Sequence, residues 1–378
     1  MPRRTVVGGA LAACALSAVV AAAVAPARAA ATASQAWPAF VLVSALLVIG
    51  ALAAQDRLFA ALGTQAARAP GGGVPLVLGL LCVVAVVTAV LNLDTSVVFL
   101  TPVLIYAARS RGLDETPFLY GAVFMSNAAS LALPGSNLTN LIVLAREHVS
   151  GAVFAARMLP ASFAAVGVTA AFVAIVFRRS LGTSMRATAP PAKWQPGVGS
   201  LATVAAAVTI LVLPRPAIPT LVIALVAAGW QIVRGRFSAR TVADAVGPHV
   251  LLPVLGLVVA LGTLARSWET LADVVTGIGR WPTAAVGALG AVVVNNLPAA
   301  AVLSAHPPTH PRALLLGLNL GPNLALSGSL SAVLWYRVAR GLGCTPSARR
   351  YSRLGIALVP LSLAAVLGAL SLFAPVGF

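Results

Sequence analysis

Four short polar clusters interrupt long apolar stretches of the chain: Asn92-Leu93-Asp94-Thr95-Ser96, Pro134-Gly135-Ser136-Asn137-Leu138-Thr139-Asn140, Asn295-Asn296-Leu297-Pro298, and Gly321-Pro322-Asn323 with Ser327-Gly328-Ser329. In a hydrocarbon solvent, backbone that leaves a helix must find its hydrogen bonds inside the protein, so such clusters are costly unless they line a protected cavity. A broken helix exposes N–H groups at one start and carbonyls at the other end, which hold oxyanions and cations respectively. Asn92, Thr95, Ser136, Asn137, Thr139, Asn140, Asn295, Asn296, Asn323, Ser327 and Ser329 add neutral donors and acceptors, and they are the candidate substrate-binding residues. Singly, each could equally cap a helix or hold a neighbouring one. Asp94 stands apart, because Asp56, Asp114, Glu115, Glu147, Asp244, Glu269 and Asp273 all fall in or near expected loops. An ionised aspartate at membrane depth costs on the order of 2.5 to 3.5 kcal/mol, which makes it a candidate for proton or cation coupling. Its other role is N-cap of a helix starting at Thr95.

The elements that must hold these residues are membrane helices. Hydrophobic residues make up 60% of the 378 and charged ones only 9%, against roughly 25% charged in soluble domains. Apolar segments fall at about 6–25, 38–55, 74–91, 95–108, 117–145, 155–177, 198–213, 218–233, 250–265, 282–304, 313–336 and 354–374, many near the roughly 20 residues that span a bilayer. The net charge of +17 is scattered through short loops without aromatic interleaving, so no nucleic-acid partner follows. Cys14, Cys82 and Cys344 lie far apart, each as a small buried hydrophobe, and His148, His249, His306 and His310 fall at loops. The pattern implies neither a metal site nor a cofactor. Absence of a phosphate-binding GxxxxGK[ST] loop argues against ATP hydrolysis by this chain, and the Gly197-Val198-Gly199 match lacks a preceding strand. Residues 1–30 read as a retained N-terminal helix, with a signal-like alternative.

The chain divides near its middle at the polar stretch 178–197, giving repeats at 31–177 and 198–378. Each half runs through a membrane helix (38–55; 250–265), an amphipathic segment (56–69; 267–279), a hairpin with a polar tip, and a second polar break. Trp281 to Val294 and Pro298 to Ala305 form the arms of the second hairpin. The shorter arm reaches only roughly 12 Å against a hydrocarbon core of about 30 Å, so it must enter and return. If both hairpins return to their own side, the basic clusters at 178–193, 234–240 and 337–353 share one face, the cytoplasmic one. The expected fold is therefore all-α and polytopic: two inverted repeats, each with a re-entrant hairpin and a broken helix, in the inner membrane. Polar breaks in matching order are the pattern of a secondary transporter with its site between repeats.

The set Leu100-Thr101-Pro102, Ser130-Leu131-Ala132-Leu133-Pro134, Ser136 to Asn140, Asn295-Asn296-Leu297-Pro298, Leu320-Gly321-Pro322, Gly328-Ser329-Leu330 and Leu334-Trp335 resembles arsenical pump membrane proteins of the ion transporter superfamily. The resemblance runs from about residue 38 to 374. It implies arsenite or antimonite efflux, driven by protons or by a separate ATPase subunit. Related carriers move dicarboxylates, citrate, sulfate or sodium, so an organic-anion symporter with a proton or sodium partner is the alternative. Three positions depart from the family pattern: Leu93 separates Asn92 from Asp94, Asn323 stands where Lys is frequent, and Leu326-Ser327 replaces Pro-Ile. The expected partners are a small oxyacid or anion, a coupling ion and the lipid bilayer, with a homodimer and the ATPase subunit left open.

Overall fold

The computed structural model describes residues 16–68, 71–145, 147, 149–182 and 195–373. Cys14, Arg146, His148, Arg186, Lys193 and most of the expected central linker lie outside the described residues, as does the first half of the expected N-terminal helix.

Apolar segments become helices even where a single proline lies inside them, as at Pro38, Pro102, Pro160, Pro253 and Pro360, and give way where Pro and Gly fall together with Asn, at Pro134 to Asn137 and Gly321 to Asn323. The first half contains α1 (Pro26–Gln55), a short α2 (Leu58–Ala67), a hairpin of α3 (Gly73–Val90) and α4 (Leu93–Ser110), then α5 (Thr116–Ala129), α6 (Leu138–Leu144) and α7 (Gly151–Val176). Two helices follow, α8 (Val198–Val212) and α9 (Ala217–Val233). The order of the first half then recurs: α10 (Ala239–Val246) leads into α11 (Pro248–Ala265), a short α12 (Glu269–Gly277), a hairpin of α13 (Arg280–Val294) and α14 (Asn296–Leu303), then α15 (Pro311–Leu320), α16 (Leu330–Gly341) and α17 (Ala348–Phe373). Helix α1 starts upstream of the division expected at residue 30 and runs through it. Among the described residues five helical stretches, Pro26–Gln55, Gly73–Val90, Gly151–Val176, Ala239–Ala265 and Ala348–Leu372, are long and apolar enough to cross a membrane.

Packing pairs corresponding elements. Helix α1 lies against α11, and α7 lies against α17. The second segment of each broken helix packs on the other half's hairpin, α6 on α14 and α16 on α4. Helices α8 and α9 have no such counterpart and cover α1. Their outer faces carry Leu201, Val204, Val208, Leu225 and Val226 exposed, a continuous apolar surface that suits lipid rather than water.

Close contact between α13 and α15 depends on small residues. A Cβ on Gly317 would overlap the Ala284 backbone, and one on Gly321 would sit 2.5 Å from the Cα of Ala288. Such positions let helix backbones touch where water cannot drive association. Elsewhere the halves are joined by an aromatic cluster. Tyr120 and Trp335 have ring centroids 5.4 Å apart, Phe124 and Tyr351 5.0 Å, and Trp335 Nε1–H donates to the Leu119 carbonyl at 2.8 Å.

A second link lies at the ends of α4 and α16. Arg109 pairs with Glu115 and also donates to the Leu342 carbonyl at 2.9 Å, while the Cys344 thiol donates to Glu115 at 3.0 Å. Hydrogen bonding from Arg109 holds the Glu115 carboxyl below its ordinary range despite partial burial. Burial and then the Glu115 carboxylate push the Cys344 thiol up to about 11. Cys344 is buried as expected; Cys82 is exposed, because it lies on the outward side of α3.

Candidate functional site

The two broken helices meet at their interruptions. Helix α5 ends at Ala129 and its chain resumes as α6 after a 3-10 turn at Pro134–Ser136. Proline has no N–H to continue the helix, and the residue before it is forced extended; Leu133 accordingly has φ −133° and ψ 156°. The stranded carbonyls are satisfied locally. Asn140 Nδ2 donates to the carbonyls of Ser130 at 2.8 Å and Leu133 at 3.1 Å, and the Ser136 hydroxyl lies against the same two oxygens. Asn137 caps α6 by accepting from the Thr139 N–H at 3.1 Å. In the second half, α15 passes into 3-10 turns at Gly321–Leu324 and Leu326–Gly328, and Ser329 caps α16 through the Ala332 N–H at 3.2 Å. The Tyr351 hydroxyl donates to the Pro322 carbonyl at 3.0 Å.

Between the two breaks lies a fully buried, uncharged hydrogen-bond network. Asn319 Oδ1 receives the Asn137 amide at 2.7 Å and the Ser130 hydroxyl at 2.6 Å, and Asn319 Nδ2 donates to Asn140 Oδ1 at 2.9 Å. Asn127 Nδ2 donates to Asn323 Oδ1 at 2.7 Å. Asn127, Ser130, Asn140 and Asn319 are 0% exposed. Of the residues singled out in the sequence, Ser136, Asn137, Asn140 and Asn323 lie in or beside this network. Asn127 and Asn319 are additional members that the sequence reading passes over.

The hairpin tips differ from one another. At the first, Asn92 caps α4, its Oδ1 accepting the Thr95 N–H at 2.6 Å. This corrects the capping role considered for Asp94: the helix begins at Leu93, two residues earlier than expected, so Asp94 falls in the first turn. Its carboxylate is 4% exposed, and among the described residues no hydrogen bond or ion pair to it is formed. Asn92 Nδ2, Thr95 Oγ1 and Ser96 Oγ beside it in sequence are buried without a hydrogen-bond partner in the protein, as are Asn127 Oδ1 at the crossing, Thr139 Oγ1 on α6 and Asn296 Oδ1. Buried polar atoms are normally paired, so this concentration calls for an explanation. The second tip is more open. Asn295 adopts φ +77° and ψ 150°, a positive-φ conformation outside the left-handed helical region that residues other than glycine rarely enter. It is held there by accepting the Leu297 N–H at 3.3 Å and donating to the Ser327 carbonyl at 3.0 Å, and Ser327 is exposed. Ser329 and Ser331 bond each other at 2.8 Å rather than joining the central network.

A cavity of about 490 Å³ lies between α1, α6, the start of α7 and the α8–α9 turn, and Pro134 of the first break, Gln35 and Arg215 line it. Among the described residues no group of His, Cys, Asp and Glu could hold a metal ion.

Comparison with known proteins places this architecture. Residues 3–321 match the family model described as CitMHS, citrate transporter. The chain is 26% identical to an arsenical pump membrane protein of Yersinia enterocolitica, covering 89% of this chain and 86% of that protein. It is 22% identical to a 46 kDa membrane protein of Mycobacterium leprae, covering 87% and 84%. A shorter stretch, 38% of this chain, is 29% identical to 30% of the silicon efflux transporter LSI3 of Oryza sativa subsp. japonica. The YdaH transporter of Alcanivorax borkumensis shares the fold, with a TM-score of 0.52 at 15% identity over 91% of this chain and 86% of that one. An all-helical chain with several membrane-length helices, matched by this family over most of its length, is a multi-pass membrane transporter and not an enzyme: the protein belongs to the citrate transporter (CitMHS) family.

Proposed function

We propose that the protein exports arsenite or antimonite, moving the neutral trihydroxide through the crossing of the two broken helices and exchanging it for protons at Asp94. The observation that carries this reading is the uncharged chemistry of the crossing: Asn127, Ser130, Asn137, Asn140 and Asn323 supply amides and hydroxyls around Asn319, with no guanidinium or ammonium among them. A trivalent oxyacid near neutral pH is itself an uncharged set of hydroxyls. It both gives and takes hydrogen bonds, and so pairs with such a lining without a buried charge. A di- or tricarboxylate would bring several charges into the same place, where only helix ends could oppose them.

Asp94 supplies the coupling. It is a buried carboxylate with unpartnered Asn92, Thr95 and Ser96 atoms beside it in sequence, and protonation removes the charge whose burial is costly. A proton taken on one side and released on the other would let the first hairpin change partners while neutral. The substrate-binding set then adds Asn127 and Ser130 to the residues read from the sequence, Asn92, Thr95, Ser136, Asn137, Thr139, Asn140, Asn295, Asn296, Asn323, Ser327 and Ser329. The matching order of elements and the pairings α1 with α11 and α7 with α17 support two repeats of inverted topology as the moving units.

The test is uptake into everted membrane vesicles energised with an acidic interior. Arsenite accumulates, and an uncoupler abolishes the accumulation, if the proposal holds. Accumulation of labelled succinate or citrate without arsenite would replace it with the organic-anion reading that the family description suggests.

A further inference from the structure

Asn319 occupies the centre of the crossing in a way that matches the solute class assigned to it. Its carbonyl oxygen takes two hydrogen bonds, from Ser130 and Asn137 of the first half, and its amide gives one to Asn140 of the same half. Stripped of Asn319, those three residues present two donors and one acceptor. A neutral hydroxylated solute satisfies that set: one hydroxyl oxygen accepts from Ser130 and Asn137, and a second hydroxyl donates to Asn140. A carboxylate satisfies the two donors but sets its negative oxygens against Asn140 Oδ1 with no counter-charge.

Two further observations favour exchange over permanent closure. The Ser130 hydroxyl has one hydrogen and two acceptors in reach, the Asn127 carbonyl at 2.8 Å and Asn319 Oδ1 at 2.6 Å, so it can turn away when Asn319 leaves. Asn319 Nδ2 also reaches the Leu315 carbonyl of its own helix at 2.8 Å, which leaves a partner for the displaced amide.

Resting on the reading of the crossing as the transport site, we propose that Asn319 is the carrier's own stand-in for substrate. It closes the polar crossing while the carrier is empty and yields its place when the solute binds. The role is one of gating and selection, and it favours small neutral polyhydroxylated solutes over carboxylates.

Separate kinetic steps test this. Net efflux requires the empty carrier to return, whereas equilibrium exchange of labelled for unlabelled solute uses only the loaded one. In proteoliposomes, Asn319→Ala lowers net arsenite efflux about tenfold, the factor that one or two net hydrogen bonds supply, and leaves exchange within about twofold of wild type. Ser130→Ala, which touches both Asn319 and the solute, lowers both fluxes together. A parallel loss of both fluxes in Asn319→Ala, or no loss in either, overturns the proposal. Should Asn319→Ala fail to reach the membrane, Asn319→Ser decides by the same split. Wild-type protein that exchanges succinate and not arsenite overturns the functional reading instead; the split, measured on the solute it does carry, still decides the stand-in role.

Discussion

Replacing Asn137 with alanine removes bonds of two kinds, a helix cap and contacts across the break. Its Oδ1 caps α6 at the Thr139 N–H, and its Nδ2 crosses to Asn319 Oδ1 at 2.7 Å. A lost cap costs about 1 kcal/mol and a lost internal hydrogen bond about 1 kcal/mol more. No acceptor is orphaned, because Asn319 Oδ1 keeps the Ser130 hydroxyl. Asn137→Ala therefore loses about 2 kcal/mol, a cost that leaves the protein folded and inserted. Transport suffers further, since the amide is one of the two donors offered to the solute. The comparison variant is Ser150→Ala, which removes the cap of α7, the Val153 N–H bond at 3.3 Å, away from the crossing. Each variant is scored for membrane yield, thermal midpoint in detergent and initial arsenite efflux. The expected pattern is a yield within twofold of wild type for both, a slightly lower midpoint for both, and efflux reduced at least tenfold only in Asn137→Ala. Equal transport in the two variants would refute the assignment of Asn137 to the site.

Other perturbations carry clear expectations. A side chain at Gly355 meets the Asn323 carbonyl and the Leu324 backbone, so Gly355→Val displaces the second break and lowers transport by more than it lowers membrane yield, measured side by side. Gly317→Val drives α15 from α13 at the Ala284 backbone and lowers the thermal midpoint by several degrees. Glu115→Gln removes the carboxylate that helps hold the Cys344 thiol near 11; reaction of Cys344 with a permeant maleimide at pH 8 accelerates several-fold, followed by mass spectrometry. The Glu115 carboxyl lies below its ordinary range when folded, so its contribution is complete above that range and lost as pH falls through the lowered value. Acid below the ordinary glutamate range thus loosens the link among Arg109, Glu115 and Cys344, read as faster proteolysis of the α16–α17 loop, with Glu115→Gln insensitive to that change.

Much of the fold is legible in the sequence because the solvent is lipid. Long apolar runs leave little choice but helices, and the polar breaks at Pro134 and Pro322 locate the interruptions. The short arm after Asn295 is an eight-residue helix, as expected of a hairpin that cannot cross alone. Asp94 shows where residue type misleads: Asp and Asn both suit helix starts, and the cap fell to Asn92 because its side chain reaches the Thr95 N–H. Asn127 and Asn319 escaped because each is a single amide inside a helix, ahead of the polar break rather than within it. Their spacing carries the missing signal. Each lies ten residues before the cap of the following segment, Asn137 less Asn127 and Ser329 less Asn319, so aligning the halves on their caps superposes the two amides. Partner choice across the crossing depends on the packing of α5 against α15, which no local pattern encodes.

The most direct test of proton-coupled export through this site is simultaneous measurement of arsenite and proton movement. Purified wild-type protein and Asp94→Asn are reconstituted in proteoliposomes with a trapped pH indicator and an imposed pH gradient. Asp94→Asn removes titration, and the cap of α4 is supplied by Asn92 in either case. Wild-type protein moves arsenite uphill with protons running the other way, while Asp94→Asn inserts normally and retains only downhill arsenite movement without a proton signal. Uphill arsenite transport by Asp94→Asn with the wild-type pH profile, or arsenite movement in wild type without any proton movement, would contradict the account.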